Sequence, residues 1–162
     1  EAFDRISSTI ASASNLTLLA QAKVPAEIAQ RGNFIPPTIF RDVPSNHPIW
    51  TDEIFGPVIA CAQARDFDHA IQLATASEYA LTGGVFTRHP QNLEKAKEEF
   101  RGGNLYINRG ITGALVERQP FGGFHMSGIG SKAGGPDYLL QFMEPRVVTE
   151  NTMRRGFTPD VA

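Results

Sequence analysis

Between residues 57 and 108 three short apolar runs alternate with two amphipathic ones, and few folds accept that order. Val58-Ile59-Ala60-Cys61-Ala62 has no polar interruption, which predicts a strand over 58–62 covered on both faces. Asp66 or Asp68 can cap a helix running to about Ala76, with Ala70, Ile71 and Ala74 on its inner face. Residues 81–87 read as a second strand, with glycines where backbones approach closely. Pro90 opens a second helix through Leu93, Ala96 and Phe100, and Gly102 is the expected C-terminal cap. Residues 104–108 read as a third strand. Strand, helix, strand, helix, strand predicts an α/β fold with parallel strands and crossover helices.

The flanks are less regular. Phe3, Ile6, Ile10 and Ala13 recur at helical spacing, so a helix is predicted over 2–13. A short strand is predicted over 16–20, then Pro25, Gly32, Pro36 and Pro37 break the pattern around an extended Thr38-Ile39-Phe40. Residues 44–48 read as loop. Residues 109–136 hold eight glycines with little periodicity, too long a stretch to be mere connection. A short helix is predicted near 136–142, and Arg146-Val147-Val148-Thr149-Glu150 reads as a closing strand without a partner in the chain.

Composition removes several function classes. A formal charge of -2 offers no basic stripe for a nucleic acid. No apolar run nears the roughly 20 residues that a membrane-spanning helix needs, so no membrane role is expected. The opening Glu1-Ala2-Phe3-Asp4-Arg5 lacks the pattern of a secretory leader, and its lack of Met and of a helix cap suggests a piece of something longer. One cysteine cannot form an internal disulfide, which favours a reducing, cytoplasmic location.

Two segments carry chemistry. In Glu53-Ile54-Phe55-Gly56-Pro57-Val58 a carboxylate and an aromatic ring stand two residues apart just before a strand. A carboxylate accepts hydrogen bonds from both hydroxyls of a ribose, and a ring can pack on a planar nicotinamide. A surface glutamate beside a core phenylalanine is the plainer alternative. In Arg109-Gly110-Ile111-Thr112-Gly113-Ala114-Leu115-Val116-Glu117-Arg118-Gln119-Pro120-Phe121-Gly122-Gly123, a Gly-Ala pair exposes backbone N–H groups that can cradle an anion. The alternative is a glycine-rich loop that only turns a corner.

The run Glu-Ile-Phe-Gly-Pro-Val resembles a signature of aldehyde dehydrogenases. Asp66-Phe67-Asp68 with Ala70-Ile71, then Tyr79-Ala80-Leu81-Thr82, Val85-Phe86-Thr87, Gly103-Asn104-Leu105-Tyr106-Ile107-Asn108 and Pro120-Phe121-Gly122-Gly123 continue it, from about residue 32 to residue 150. The Thr-Gly-Ala loop and the run Lys132-Ala133-Gly134-Gly135-Pro136-Asp137-Tyr138-Leu139-Leu140 resemble the branch that oxidises L-glutamate γ-semialdehyde, the open form of pyrroline carboxylate, in proline breakdown. Ala114 stands where serine is frequent, which leaves a backbone donor unchanged.

The resemblance implies the C-terminal part of the catalytic domain, with 1–143 as partial catalytic domain and 144–162 as oligomerisation strand and tail. It implies that Glu53 holds the ribose of NAD, Phe55 contacts the nicotinamide and Leu81 lines the same pocket. Gly113 and Ala114 would bind the substrate's α-carboxylate, and Phe121 would pack on its carbon chain. Chemistry in such enzymes runs through a cysteine thiolate and a glutamate base, and their motifs are not in this chain, so these residues alone are expected to be inactive. Homo-oligomerisation through the closing strand is implied. A non-catalytic binding or oligomerisation module on the same scaffold, or a dehydrogenase for another aldehyde, is the alternative. NAD against NADP, and fusion to proline dehydrogenase, stay open.

Other features read as structural. Gly128-Ile129-Gly130-Ser131-Lys132-Ala133-Gly134 imitates a dinucleotide loop but has no preceding strand in the sequence reading. Cys61 lies inside the predicted strand, where burial raises a thiol pKa and blocks access. His47, His69, His89 and His125 lack metal-ligand spacing. Lys95 and Glu99 stand at i,i+4 on a solvated helix face.

Overall fold

The computed structural model describes residues 1–115 and 117–152. Helix α1 (Ala2–Ser12) leads to strand β1 (Thr17–Gln21), a one-turn α2 (Ala26–Ala29) and strand β2 (Thr38–Arg41). A second single turn, α3 (Pro48–Thr51), precedes β3 (Val58–Ala60), and α4 (Phe67–Thr75) follows. Then come β4 (Tyr79–Ala80), β5 (Thr82–Val85), α5 (Pro90–Glu99), β6 (Asn104–Ile107), β7 (Phe124–His125) and a 3-10 turn at Tyr138–Phe142.

Among the described residues the strands form three small sheets rather than one. β1 runs antiparallel to β2 with a bulge between Leu18 and Ala20, and β2 runs parallel to β3. β5 and β6 pair in parallel across α5, as the rhythm of the sequence required, while β4 pairs antiparallel with β7. The first strand of the predicted series, β3, therefore pairs backwards with β2 and not onward with β5.

Local chemistry explains most element starts. Asp66 caps α4 by accepting from His69 N at 2.8 Å. His47 does the same for α3, its Nδ1 accepting from Ile49 N at 3.1 Å, with Pro48 at the first helical position. That turn begins at Pro48, where the sequence indicated only loop. α5 ends at Phe100 in an extended conformation rather than at a glycine cap. Gly102 does not take the left-handed φ that a capping glycine supplies.

The main core joins α1 to the first sheet. Ala13, Phe40, Val43 and Ile49 are buried, with Ile10, Leu16, Trp50, Ile54, Val58 and Ala60 packed against them. Burying a ring such as Phe40 contributes about 1.5–3 kcal/mol. The expectation of a doubly covered β3 fails: Ile59 is 54% exposed, the strand stops at Ala60 and Cys61 is half-buried. Cys61 serves the backbone, donating N–H to Phe40 and accepting from Val43 N.

Residues 146–150 are expected to lack a partner within the chain. They form no strand in the described chain, and Val147 is 89% exposed. A strand exists only by pairing, and no described residue pairs with this segment. Residues 153–162 of the expected tail lie outside the described residues. The surface totals 12714 Å², against roughly 8,000 Å² for a compact monomer of this size by area–mass scaling. Leu18, Leu19 and Ile59 are each more than half exposed, so apolar strand positions are incompletely covered among the described residues.

Candidate functional site

The Glu53–Phe55 segment is held from beneath by α1. Arg5 Nη1 donates to the Ile54 carbonyl at 2.7 Å. A Cβ on Gly56 would come within 2.9 Å of the buried Ile6 side chain, so the turn packs close on the helix. Phe55 takes φ +53, a left-handed conformation unusual for a bulky residue, and the residue is 82% exposed. Backbone strain of this kind persists where surrounding structure over-determines it and clusters at binding sites. Arg5 and Ile6 supply that constraint here.

Glu53 opens onto a cavity of about 390 Å³ whose lining includes Trp50, Tyr79, Leu81, Met126 and Ser127. Glu53 and Leu81 both line this cavity. Phe55 is not among the cavity's lining residues. Leu81 stands between β4 and β5, where its carbonyl accepts from Asn104 N at 2.9 Å. Ser127 Oγ accepts from Ala80 N at 3.0 Å and closes the far wall.

Phe121 belongs to a neighbouring cavity of about 260 Å³ that includes Gly123, Lys132, Tyr138 and again Ser127. Its backbone forms a two-way bridge with Ala133, at 2.9 and 2.8 Å. Asn104 grips the residues on either side: Nδ2 donates to the Pro120 carbonyl at 2.9 Å and Oδ1 accepts from Gly122 N at 3.1 Å. Lys132 Nζ donates to the Gly123 carbonyl at 3.1 Å and lies 4.1 Å above the Phe124 ring.

Gly113 and Ala114 lie on an exposed loop after β6 and line neither cavity. Gly113 has φ +92, which only glycine adopts without strain. Neither residue's N–H has a hydrogen-bond partner among the described residues. Asn108, also left-handed at φ +54, launches the loop while its side chain donates to the Thr87 carbonyl and accepts from Thr87 N, both at 2.9 Å.

The remaining tempting features have structural jobs. A strand, β7, does precede the glycine run at 128–134, which the sequence did not suggest, but it is two residues long and no α-helix follows among the described residues. Gly128, Gly130 and Gly134 all take positive φ, as a winding loop needs. His69 Nδ1 accepts from Arg65 N, and His125 pairs with Tyr79 across β7 and β4.

The sequence profile of the aldehyde dehydrogenase family matches residues 1–148. The chain belongs to the aldehyde dehydrogenase family. It is 60% identical over 120 residues to 1-pyrroline-5-carboxylate dehydrogenase of Geobacillus kaustophilus, covering 74% of this chain and 23% of that protein. The enzyme of the same name from Bacillus subtilis is 54% identical over the same length, with the same coverage. The chain thus spans about a quarter of the length of the curated relatives it matches.

Solved structures agree. Proline utilization A from Bdellovibrio bacteriovorus, inactivated by N-propargylglycine, superposes with TM-score 0.85 at 59% identity, covering 98% of this chain and 16% of that one. A 1-pyrroline-5-carboxylate dehydrogenase from Thermus with bound NAD gives 0.80 at 43% identity, covering 88% of this chain and 27% of that one.

Several residues that shape the site had no role in the sequence reading. Trp50, three residues before Glu53, lines its cavity, and Tyr79 and Ser127 reach it from segments distant in sequence. Asn104 was read only as a strand residue, although an amide at the strand's first position, facing a Pro-Phe-Gly-Gly turn, was the available signal.

Proposed function

We propose that this chain is the C-terminal portion of an NAD-dependent dehydrogenase that oxidises L-glutamate γ-semialdehyde to L-glutamate in proline catabolism. Within it, residues 1–143 belong to the catalytic domain, and 144–162 supply an oligomerisation strand and tail. The observation that carries the reading is the pair of unpartnered N–H groups at Gly113 and Ala114, on a loop whose backbone geometry requires glycine. Bare amide donors suit a carboxylate, which is what separates this semialdehyde from simple aldehydes. Relatives named for pyrroline carboxylate add weight to it.

The cavity beside Glu53 fits the nicotinamide end of NAD by its donor set. It offers a carboxylate for ribose hydroxyls, flanked by the rings of Trp50 and Tyr79 and by Leu81. Phe55, outside the cavity lining but exposed and locked by Arg5 and Gly56, is the ring assigned to the nicotinamide. NAD held there would supply a hydride acceptor for the oxidation. The chain's own work is to hold the ribose, to hold the substrate's charged end through Gly113 and Ala114, and to pack Phe121 on its carbon chain.

The exposed apolar surface belongs with the rest of the catalytic domain, and Val147 and Val148 with a second copy of the chain. The cytoplasm is the proposed location. The test is oxidation of the semialdehyde with NAD by the full-length protein carrying this chain. NADH formation that depends on Glu53 supports the reading. A protein that is inactive with the semialdehyde but active with uncharged aldehydes refutes the substrate.

A further inference from the structure

We infer that Arg109 and Gln119 are positioning residues that aim the Gly113 and Ala114 N–H groups at the substrate carboxylate, an inference that rests on the functional reading above. The peptide unit is planar, and when it is trans a carbonyl oxygen and the next residue's N–H point in opposite directions. The described chain has no cis peptide. Whatever fixes the carbonyls of Thr112 and Gly113 therefore also fixes the N–H groups of Gly113 and Ala114.

Side chains fix both carbonyls. Arg109 Nη2 donates to the Thr112 carbonyl at 3.3 Å. The Gln119 amide satisfies its neighbours in one orientation, its nitrogen donating to the Gly113 carbonyl and its oxygen accepting from Arg109 Nη1 at 2.6 Å. The two residues thus hold each other as well as the loop, through a charge-assisted bond. With both carbonyls turned onto this pair, both N–H groups face away from it, and neither has another partner among the described residues.

The pair is itself anchored. The Arg109 guanidinium lies 5.1 Å from the centroid of the buried Tyr106 ring. A turn returns Gln119 beneath the loop, its N–H donating to the Leu115 carbonyl at 2.7 Å. Among the described residues no other group holds these carbonyls. A Cβ at Gly113 would meet no atom within 4 Å, and glycine alone leaves its peptides free to rotate. Lysine cannot replace Arg109, because one ammonium lacks the fork that reaches two acceptors in a fixed plane.

The experiment compares kcat/KM for L-glutamate γ-semialdehyde with kcat/KM for an uncharged aldehyde such as butanal, in the full-length protein carrying this chain. The ratio cancels any general loss of folded enzyme. Arg109→Lys and Gln119→Met should each lower it on the order of tenfold, the worth of one aimed hydrogen bond to a charged group. Gln119→Glu, which sets an acceptor against the Gly113 carbonyl, should lower it further. A wild-type preference that survives in the Gln119 variants overturns the inference, because loss confined to Arg109 means that its charge acts directly. A wild-type enzyme with no preference for the charged aldehyde overturns the functional reading instead.

Discussion

Gly103 packs so tightly on Gly122 that a Cβ at residue 103 would overlap the Gly122 carbonyl oxygen and lie 2.6 Å from Gly123 Cα. Both obstacles are backbone, so no side chain can swing aside. This contact seats the Phe121 turn on the start of β6.

Gly103→Ala should therefore cost about 1–3 kcal/mol, the usual penalty of overpacking. At neighbouring Gly102 a Cβ would meet the Phe100 ring at 2.9 Å, and a ring can shift. Chemical denaturation of both variants should rank Gly103→Ala as the more damaging. Equal midpoints would show that the loop moves freely.

Asn104 should matter twice. Its amide bonds the residues before and after Phe121, so Asn104→Leu leaves both groups unpaired at a cost of about 1–3 kcal/mol. It should also raise KM for the semialdehyde by releasing the Phe121 ring. Crystallography of the variant checks whether the ring has moved, and an unmoved ring with normal KM contradicts the role.

The legible part of this fold was the part whose contacts are local in sequence. Residues 82–107 alternate strand, helix and strand, and their parallel pairing follows from the crossover alone. The site was legible in pieces: the motif around Glu53 stands out in the sequence, but the cavity walls supplied by Ser127 and Met126 come from a segment without periodicity. β7 has two residues and α3 one turn, too short for any period to appear. The apolar run at 58–62 indicated cover on both faces, and the chain alone does not provide it at Ile59.

Lys95 links two helices at the surface, 2.7 Å from Asp68 on α4 and 3.6 Å from Glu99 on α5. The hydrogen bond to Asp68 is the main influence raising its pKa above the ordinary 10.5. A raised lysine pKa adds stability that is present below the unfolded value and is lost as pH rises through the folded one. The gap in unfolding midpoint between wild type and Lys95→Met should thus close as pH climbs beyond 10.5. Added salt should narrow it at neutral pH. A gap constant with pH and salt would mean that the lysine stem, not its charge, is at work.

The substrate assignment turns on Gly113, where φ is +92 and a side chain would have open space but a strained backbone. The decisive measurement is KM for L-glutamate γ-semialdehyde and for an uncharged aliphatic aldehyde in wild type and Gly113→Val. Selective loss is predicted, with KM for the charged substrate rising about tenfold or more relative to the uncharged one. An equal rise for both aldehydes would contradict a carboxylate anchor at this loop.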